Sequence, residues 1–301
     1  MSTLHDELDV AVSQVLDSFA SRDRALAGIE GGTRYTENGQ ELDIGDGLWA
    51  TADAVGPYRH VITDPATGQA ACFATVTEGR TRSIIALRIA MRRGTVSEIE
   101  CLVARPALFG GIDAFGDGPG ALDAAGTPDQ RWFDPIPPQE RPGRAELVRV
   151  ADLYFSGLEG NDGKGDYPFT DDCVRIENGF RTTQFPPSAA AGKTPYLDTF
   201  RALSAREQFE TGFFRFVTRI RGRRYPVVDE ARGTVFAFAF FDHAGMVRDY
   251  ALADGTPTTG IDRPFSWMIA EAFRIENGQL TRIEALMTGV PYGMRSGWPE
   301  G

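Results

Sequence analysis

Two segments of this sequence recur later in the chain in the same order, and this repetition constrains the fold more than any other feature. Residues 60–74 and 225–239 carry Asp, Ala, Gly, Phe and Ala at identical spacing. A second match follows, because residues 93–100 (Arg-Gly-Thr-Val-Ser-Glu-Ile-Glu) parallel residues 277–284 (Asn-Gly-Gln-Leu-Thr-Arg-Ile-Glu). Self-similarity at a long period is typical of a duplicated domain. The sequence therefore predicts two related domains in tandem.

The length agrees with two domains, and a loop-like segment separates them. At about 150 residues per domain, 301 residues correspond to about two domains. Residues 116–144 are rich in Gly, Pro, Ala and Asp, a composition that predicts neither a helix nor a central strand. Because Trp132, Phe133 and Ile136 are apolar, part of this segment is expected to pack against the domains. The predicted boundaries are 1–115 for the first domain, 116–145 for the linker and 146–301 for the second domain.

Hydrophobic periodicity predicts that each half begins with a helix and continues with strands. Apolar residues keep a 3.6-residue rhythm over residues 4–19 and again over 147–158. Aromatic and β-branched residues dominate the later segments 214–220, 234–241 and 267–275. The Glu-Asn-Gly-Gln sequence that follows is a strong hairpin signal. Helices followed by a run of antiparallel strands indicate the α+β class.

The net charge and the cysteine count restrict the partners and the compartment. Lys and Arg number 31 and Asp and Glu number 42, which gives a net charge of −11. An acidic surface repels nucleic acid and anionic lipid, so we expect no nucleic-acid or membrane partner. The sequence has no apolar run of about 20 residues, and its acidic N-terminal residues do not resemble a secretory signal. Cys72, Cys101 and Cys173 fit reduced thiols in a cytoplasmic protein.

Three motifs of the second half resemble the nuclear transport factor two-like superfamily. These are a helix carrying Tyr154, the sequence Pro-Phe-Thr-Asp-Asp-Cys-Val at 168–174, and a hairpin strand ending in Phe-Arg-Ile-Glu-Asn-Gly at 273–278. The superfamily includes ketosteroid isomerases, scytalone dehydratases, limonene-epoxide hydrolases and SnoaL-like polyketide cyclases. The resemblance covers most of 146–301 and extends to 1–110 through the repeat. It implies two cone-shaped barrels, each a curved antiparallel sheet around helices with an apolar pocket, and it is compatible with packing of the two as a pseudo-dimer.

The resemblance assigns roles to three side chains of the second half. Tyr154 corresponds to the tyrosine that stabilises an oxyanion in ketosteroid isomerases, Glu271 to their protonated acid and Glu177 to their general base. On the residues alone, the alternatives are a core tyrosine, a buried ion pair with an arginine and a simple turn, respectively. Glu271 lies on the apolar alternating face of a predicted strand, where a carboxylate has either a partner or a raised pKa.

The first half does not repeat this set of side chains. Leu87 stands at the position equivalent to Glu271. The carboxylate equivalent to Glu177 is Asp43 in one alignment and Glu37 in another. This asymmetry predicts that only the second domain is active.

Further candidates surround these three residues in the sequence. Lys164 lies in a Gly-rich, charged loop at 161–167, which is either a lid over the pocket or a solvated loop. His243 is an alternative general base. Arg219 and Arg221 share one strand face, where they either neutralise a buried or bound anion or form a solvated strand end. The predicted substrate-binding residues are Asn178, Arg219, Tyr225, Phe240 and Trp267.

Several motifs of cofactor and metal enzymes are absent from the sequence. The chain has no His-x-x-x-His, no paired cysteines, no Gly-x-Gly-x-x-Gly and no Gly-x-Ser-x-Gly. We therefore expect no cofactor and no metal. The leading hypothesis is a cofactor-independent lyase that converts a lignin-derived diarylpropane or phenylcoumaran dimer into a stilbene and formaldehyde. The alternatives are an isomerase, cyclase or dehydratase of a polyketide or steroid-like substrate, or a non-catalytic small-molecule binding module, each as a monomer or a homo-oligomer.

Overall fold

Each half of the chain builds one six-stranded sheet with the same strand order. The computed structural model describes residues 4–106, 117–185 and 195–299. Parts of the predicted domains, including residues 107–115 and 186–194, therefore lie outside the described residues. The two sheets run in the orders β2-β1-β6-β5-β4-β3 and β8-β7-β14-β13-β10-β9, with the bounds that follow. The repeated strand order agrees with the repeated sequence.

The first half and the connecting segment contain α1 (Leu4–Ser21), β1 (Ile29–Glu37), β2 (Gln40–Leu42), α2 (Leu48–Thr51), β3 (Ala54–Asp64), β4 (Gln69–Glu78), β5 (Thr81–Arg92), β6 (Thr95–Ala104) and α3 (Gly118–Ala125). The second half contains α4 (Arg144–Leu158), β7 (Phe169–Glu177), β8 (Phe180–Arg181), α5 (Pro195–Ala202), α6 (Ala205–Glu210), β9 (Arg219–Asp229), β10 (Thr234–His243), β11 (Asp249–Ala251), β12 (Pro257–Thr259), β13 (Phe265–Glu276) and β14 (Gln279–Val290). Helices and strands occur in separate runs, which is an α+β arrangement.

Both sheets are mixed, which corrects the expectation of antiparallel sheets. Strands β3 to β6, and likewise β9, β10, β13 and β14, form antiparallel neighbours. However, β1 pairs parallel to β6, and β7 pairs parallel to β14. A hairpin forces its two strands to be antiparallel, but the first and last strands of each half are joined only through the rest of the domain. Their relative direction is therefore not encoded in any local turn.

The strand register confirms that Leu87 and Glu271 are equivalent positions. Leu87 lies opposite Cys72 in the first sheet, and Glu271 lies opposite Ala237 in the second. Cys72 and Ala237 are matched residues in the sequence repeat. The asymmetry between the halves is therefore a true substitution at one structural position.

The two sheets pack against each other through one face and carry helices on the other. In the second half, α4 covers a core that includes Val235, Ala237 and Phe273. A third apolar cluster combines residues of both halves, and Phe73 and Phe236 meet there with ring centroids 5.5 Å apart. We call these two sides of each sheet the helix-covered face and the inter-sheet face. This packing agrees with the expected pseudo-dimer.

At equivalent positions of the repeat, a buried carboxylate of one sheet is contacted by a basic side chain of the other sheet. Arg224 donates to both oxygens of Glu100, and Nδ1 of His60 lies 2.6 Å from an oxygen of Glu284. Glu100 and Glu284 are matched residues of the repeat. Arg88 is the second guanidinium on Glu100, with Nε 3.1 Å from its oxygen. The interface between the sheets therefore contains buried polar contacts surrounded by apolar side chains.

The connecting segment contains a short helix, so the prediction of no helix there was wrong. Asp117 caps α3 by accepting a hydrogen bond from a backbone N–H of the first turn. Pro119 lies in that first turn, where a missing N–H costs nothing because the first amides of a helix have no partner. Trp132 and Ile136 are buried, as the sequence predicted. No helix in the described ranges is both long and apolar enough to cross a membrane.

Candidate functional site

The candidate site lies on the helix-covered face of the second sheet, where three elements bring polar side chains together. Tyr154 belongs to the buried stripe of α4, which also holds Leu147, Val150 and Leu158. Glu271 comes from β13 and is 1% exposed. Arg175, also 1% exposed, comes from β7, the strand next to β14. Helix α4 therefore places the phenol of Tyr154 near the buried carboxyl of Glu271 and the buried guanidinium of Arg175.

Tyr154 and Glu271 form the centre of this cluster. The Tyr154 hydroxyl makes a side-chain hydrogen bond with the Glu271 carboxyl. Among the residues the structure describes, no Lys, Arg or His nitrogen lies within ion-pair distance of Glu271. Its Oε2 atom is buried and has no hydrogen-bond partner. The ion pair that the sequence analysis offered as an alternative for Glu271 is therefore not formed.

Arg175 is a member of the site that sequence reasoning did not identify. Its Nε donates to Thr182 Oγ1 at 3.1 Å and lies 3.5 Å from Oε1 of Glu177, and one terminal nitrogen donates to the Gln208 side chain. The other terminal nitrogen is buried without a partner. The available signal was the alternation Cys173, Arg175, Glu177, which places these side chains on one face of a strand.

Burial sets the protonation of the two central groups. Burial raises the pKa of the Glu271 carboxyl well above its ordinary value, and the nearby Glu177 raises it further, against the opposing effects of Arg175 and the Tyr154 hydrogen bond. Burial, followed by the charge of Glu271, also raises the pKa of the Tyr154 hydroxyl well above its ordinary value. Burial therefore favours the protonated form of both groups.

Aromatic rings enclose the phenol. Phe155, Phe169, Phe209 and Phe273 all lie with ring centroids between 5.2 and 6.1 Å from that of Tyr154. The guanidinium carbon of Arg175 lies 5.4 Å from the centroid of the Phe214 ring. Charges in such an apolar surrounding interact more strongly than in water.

In the equivalent region of the first half, the carboxylate that ends β1 is fully paired. Glu37 accepts hydrogen bonds from the Tyr35 hydroxyl at 3.0 Å, the Leu48 N–H at 3.0 Å and Arg105 at 2.8 Å. Leu87 replaces the buried acid. The backbone settles the alternative between Glu37 and Asp43, because Glu37 and Glu177 both end a strand and precede an Asn-Gly turn with positive φ.

Two of the predicted substrate-binding residues share the face of Glu271. Tyr225 is partly buried, and its hydroxyl donates to Oδ1 of Asp152 on α4 at 2.6 Å. Trp267 lies four residues before Glu271 on β13, which corresponds to about 13 Å along the strand. Both pack against the helix-covered core. Their roles in binding a substrate stay predictions.

The structure separates His243 from the cluster. Glu271 lies opposite Ala237, whereas His243 ends β10 six residues further on, about 20 Å along the strand. Its ring is fully buried and stacks on Phe265, with centroids 4.4 Å apart. Burial lowers the pKa of His243 to about 4. At this distance, His243 cannot exchange a proton directly with a group next to Glu271.

Arg219, Phe240 and Lys164 also lie away from the cluster. Phe240 points to the inter-sheet face, together with Asp242, whose carboxylate binds Arg219 at 2.8 Å and Arg221 at 3.0 Å. Of the two readings of these arginines, neutralisation of a buried carboxylate is therefore the one observed. Lys164 is exposed on its loop.

The side-chain amide of Asn178 is engaged in hydrogen bonds with β14. Its amide nitrogen donates to the carbonyl of Met287 at 3.1 Å, and its amide oxygen accepts from the N–H of Met287 at 2.8 Å. The side chain thus extends the pairing of β7 with β14 beyond the last residue of β7. Its predicted contact with a substrate would require breaking both bonds.

Replacing Asn178 by Ala should destabilise the protein by about 1–3 kcal/mol, because two backbone groups of Met287 lose their partners. Chemical unfolding of the full chain measures this free energy. Asn277→Ala is the matched control, since Asn277 has the same left-handed backbone but an exposed position. Equal losses in the two variants would show that the pairing with Met287 contributes nothing.

No metal-binding cluster of three or more His, Cys, Asp or Glu side chains occurs within residues 4–106, 117–185 and 195–299. Cys72, Cys101 and Cys173 are all buried and free. Burial raises the pKa of the Cys173 thiol to about 12, which makes it a poor nucleophile. Acid–base chemistry by the cluster around Glu271 is the chemistry that these side chains can support.

Comparison with known proteins gives a family match and distant structural similarities. Residues 140–287, slightly less than half of the chain, match the model of a family described as "Domain of unknown function (DUF8021)". No curated protein sequence matches significantly. Three solved structures are distantly similar. They are a candidate ketosteroid isomerase from Kribbella flavida DSM 17836 (15% identity, TM-score 0.28, 35% of this chain and 82% of that chain), a de novo designed protein with a curved β-sheet (12%, 0.25, 49% and 88%) and AclR, a candidate hydroxylase from Streptomyces galilaeus (13%, 0.26, 47% and 90%). Identities and TM-scores this low carry no argument about activity, so the resemblance to the nuclear transport factor two-like superfamily stays a prediction.

Proposed function

We propose that this protein is an enzyme that transfers protons on a small apolar substrate, using the cluster around Glu271 in its second half. One observation carries the proposal: the cluster contains two buried polar atoms that have no hydrogen-bond partner. These are a terminal nitrogen of Arg175 and Oε2 of Glu271. Buried polar atoms are almost always paired, and each exception calls for an explanation, of which a catalytic role is one. An oxygen-bearing substrate would supply both missing partners.

The proposed roles follow from protonation and position. Glu271 is the general acid, because burial raises its pKa and favours the protonated carboxyl. Tyr154 and Arg175 stabilise negative charge on the substrate oxygen. Glu177 is the general base, because its side chain, 17% exposed at the end of β7, is in reach of a substrate entering from solvent. Lys164 and His243 have no role in this scheme.

The finer proposal is a lyase that acts on a lignin-derived 1,2-diarylpropane-1,3-diol carrying a para-phenol. Glu271 protonates the benzylic hydroxyl, which leaves as water while the phenol gives its proton to Glu177, and a quinone methide results. The terminal hydroxymethyl O–H then gives its proton to the Glu271 carboxylate, and Glu177 returns the phenol proton to the ring oxygen, so that both carboxyl groups regain their starting states. The carbon–carbon bond breaks and its electron pair restores the aromatic ring. The products are a stilbene, formaldehyde and water, and no oxidant or reductant is consumed.

A second candidate is an isomerase of a ketone, and a specific contact favours it. Tyr154 and Glu271 are two protonated groups in direct hydrogen-bond contact, which is an arrangement that stabilises an enolate. The general base would then move a proton between two carbons. The two candidates share every residue and differ only in the substrate.

The test is an incubation of the full chain without added cofactor. One arm contains the erythro diarylpropane diol and follows stilbene absorbance together with trapped formaldehyde. The other arm contains a β,γ-unsaturated ketosteroid and follows the absorbance of the conjugated enone. Stilbene and formaldehyde in equal amounts support the lyase, and enone formation supports the isomerase. No turnover in either arm would remove both substrate assignments.

A further inference from the structure

A cleft between the two halves lies apart from the cluster around Glu271 and has a different chemistry. It has a volume of about 560 Å³, which is large enough for a small organic molecule. Strands of the first sheet, β9 of the second half and the segment after β14 contribute to its walls. We call it the arginine cleft. Its lining includes Arg34, Arg88, Arg92, Arg224, Trp298 and Tyr225.

The arginine cleft contains more guanidinium groups than carboxylates that bind them. Within ion-pair distance, Arg34 meets Glu41, Arg92 meets Glu98, and Arg88 meets both Glu98 and Glu100. Arg224 has to share Glu100 with Arg88. Among the residues that the structure describes, four arginines therefore face three carboxylates, in a chain whose net charge is −11. Within those residues, one guanidinium in the cleft has no carboxylate of its own.

Two of these arginines are deeply buried, where an excess charge is costly. Arg88 is 3% exposed and Arg224 is 8% exposed. Both terminal nitrogens of Arg224 donate to Glu100, while its Nε atom is buried without a partner. A bound anion lowers the electrostatic cost of holding these groups together. The arginines at the rim, Arg34 and Arg92, are the ones that remain accessible to it.

The walls of the cleft also offer apolar surface. The Trp298 ring has the guanidinium carbon of Arg34 at 4.2 Å from its centroid and that of Arg88 at 4.7 Å. The indole N–H donates to Thr36 Oγ1 at 2.9 Å, which holds the ring in place. Pro226 lies on the side of the second half. A ligand would therefore meet cations and flat apolar groups together.

We propose that the arginine cleft is a binding site for a small organic oxyanion, a carboxylate or phosphate attached to an apolar body. The oxyanion would accept hydrogen bonds from Arg34 and Arg92, and the apolar body would pack against Trp298 and Pro226. Arg92, whose side chain is 75% exposed, would meet the anion first. This site does not depend on the function proposed for Glu271.

Calorimetric titration of the full chain tests the proposal with benzoate in one arm and inorganic phosphate in the other. We expect saturable binding that weakens with added salt, because the attraction is electrostatic. Tighter binding of benzoate would support a role for the apolar wall, whereas equal binding would assign the site to the oxyanion alone. No saturable binding of either probe would overturn the proposal.

Two variants locate the binding. Arg34→Gln and Arg92→Gln should each weaken binding by about tenfold, because each removes a charge-assisted hydrogen bond. Both side chains are at least one-third exposed, so both variants should fold, and circular dichroism verifies this. Arg149→Gln is the matched control, since it pairs with Glu146 on the surface of α4, away from the cleft. Unchanged affinity in both cleft variants would also contradict the assignment.

Discussion

Replacing Glu271 by Gln should make the protein more stable at pH 8 and nearly inactive. Loss of a general acid typically lowers the rate by about 10²–10⁴-fold. The expected gain in the free energy of unfolding is on the order of 1–3 kcal/mol, because the variant no longer holds a titratable carboxyl in an apolar site. A change that only damaged the fold would lower both quantities. A gain in the free energy of unfolding together with a loss of activity therefore identifies Glu271 as a functional residue that costs stability.

The direction of the pH dependence follows from the raised pKa of Glu271. In the unfolded chain this carboxyl ionises near the ordinary value of about 4.3, but in the folded protein it keeps its proton to higher pH. The stability that it provides is therefore complete below that ordinary value and is lost as the pH rises through the folded-state pKa. The advantage of Glu271→Gln should be near zero at pH 4 and should grow up to pH 8. Urea unfolding at several pH values measures it.

Glu276 provides a control with the opposite sign on the same strand. Its hydrogen bond to Arg131 lowers the pKa of its carboxyl, despite partial burial. It therefore stabilises the folded state above the ordinary pKa of a glutamate, and this contribution is lost as the pH falls. Glu276→Gln should destabilise the protein at pH 8 and have little effect at low pH. If Glu271→Gln behaved in the same way, Glu271 would be an ionised partner in a structural ion pair and could not be the acid.

The sequence carried more information about the faces of strands than about distances along them. Alternation alone placed Glu271 among apolar residues and predicted its burial. In β10, however, all ten residues are buried, so that alternation could not show which of them face the helices. Ala237 lies opposite Glu271, and residues of β10 at an even number of positions from Ala237 share its face. Phe240 is three positions away and therefore faces the other side. His243 is six positions from Ala237 and shares its face, but it lies at the far end of the strand.

Arg175 could not be placed from the sequence because its position depends on a non-local pairing. An arginine in a short strand is usually exposed, and its neighbours Thr170, Asp171 and Asp172 are polar. Only the parallel pairing of β7 with β14 brings it to within two strands of Glu271, because β14 in turn pairs with β13. No turn or motif encodes this pairing, for the reason that made the sheets mixed rather than antiparallel.

The interface between the sheets contains a buried carboxylate, Glu100, that two buried arginines share. Replacing Glu100 by Gln should destabilise the protein by about 3–5 kcal/mol, because Arg88 and Arg224 then remain buried without their shared carboxylate. Glu41→Gln is the matched control at an exposed ion pair and should cost less than about 1 kcal/mol. Both values come from chemical unfolding of the full chain.

The repeat offers a sharper comparison at the equivalent position, Glu284. Its partners are His60 and the Tyr58 hydroxyl, which donates at 3.0 Å. A histidine can remain neutral when its carboxylate is removed, whereas an arginine cannot. Glu284→Gln should therefore cost only about 1–3 kcal/mol, close to the cost of unsatisfied hydrogen bonds. If Glu100→Gln cost no more than Glu284→Gln, water would be reaching Arg88 and Arg224, and their burial would not be the source of the loss.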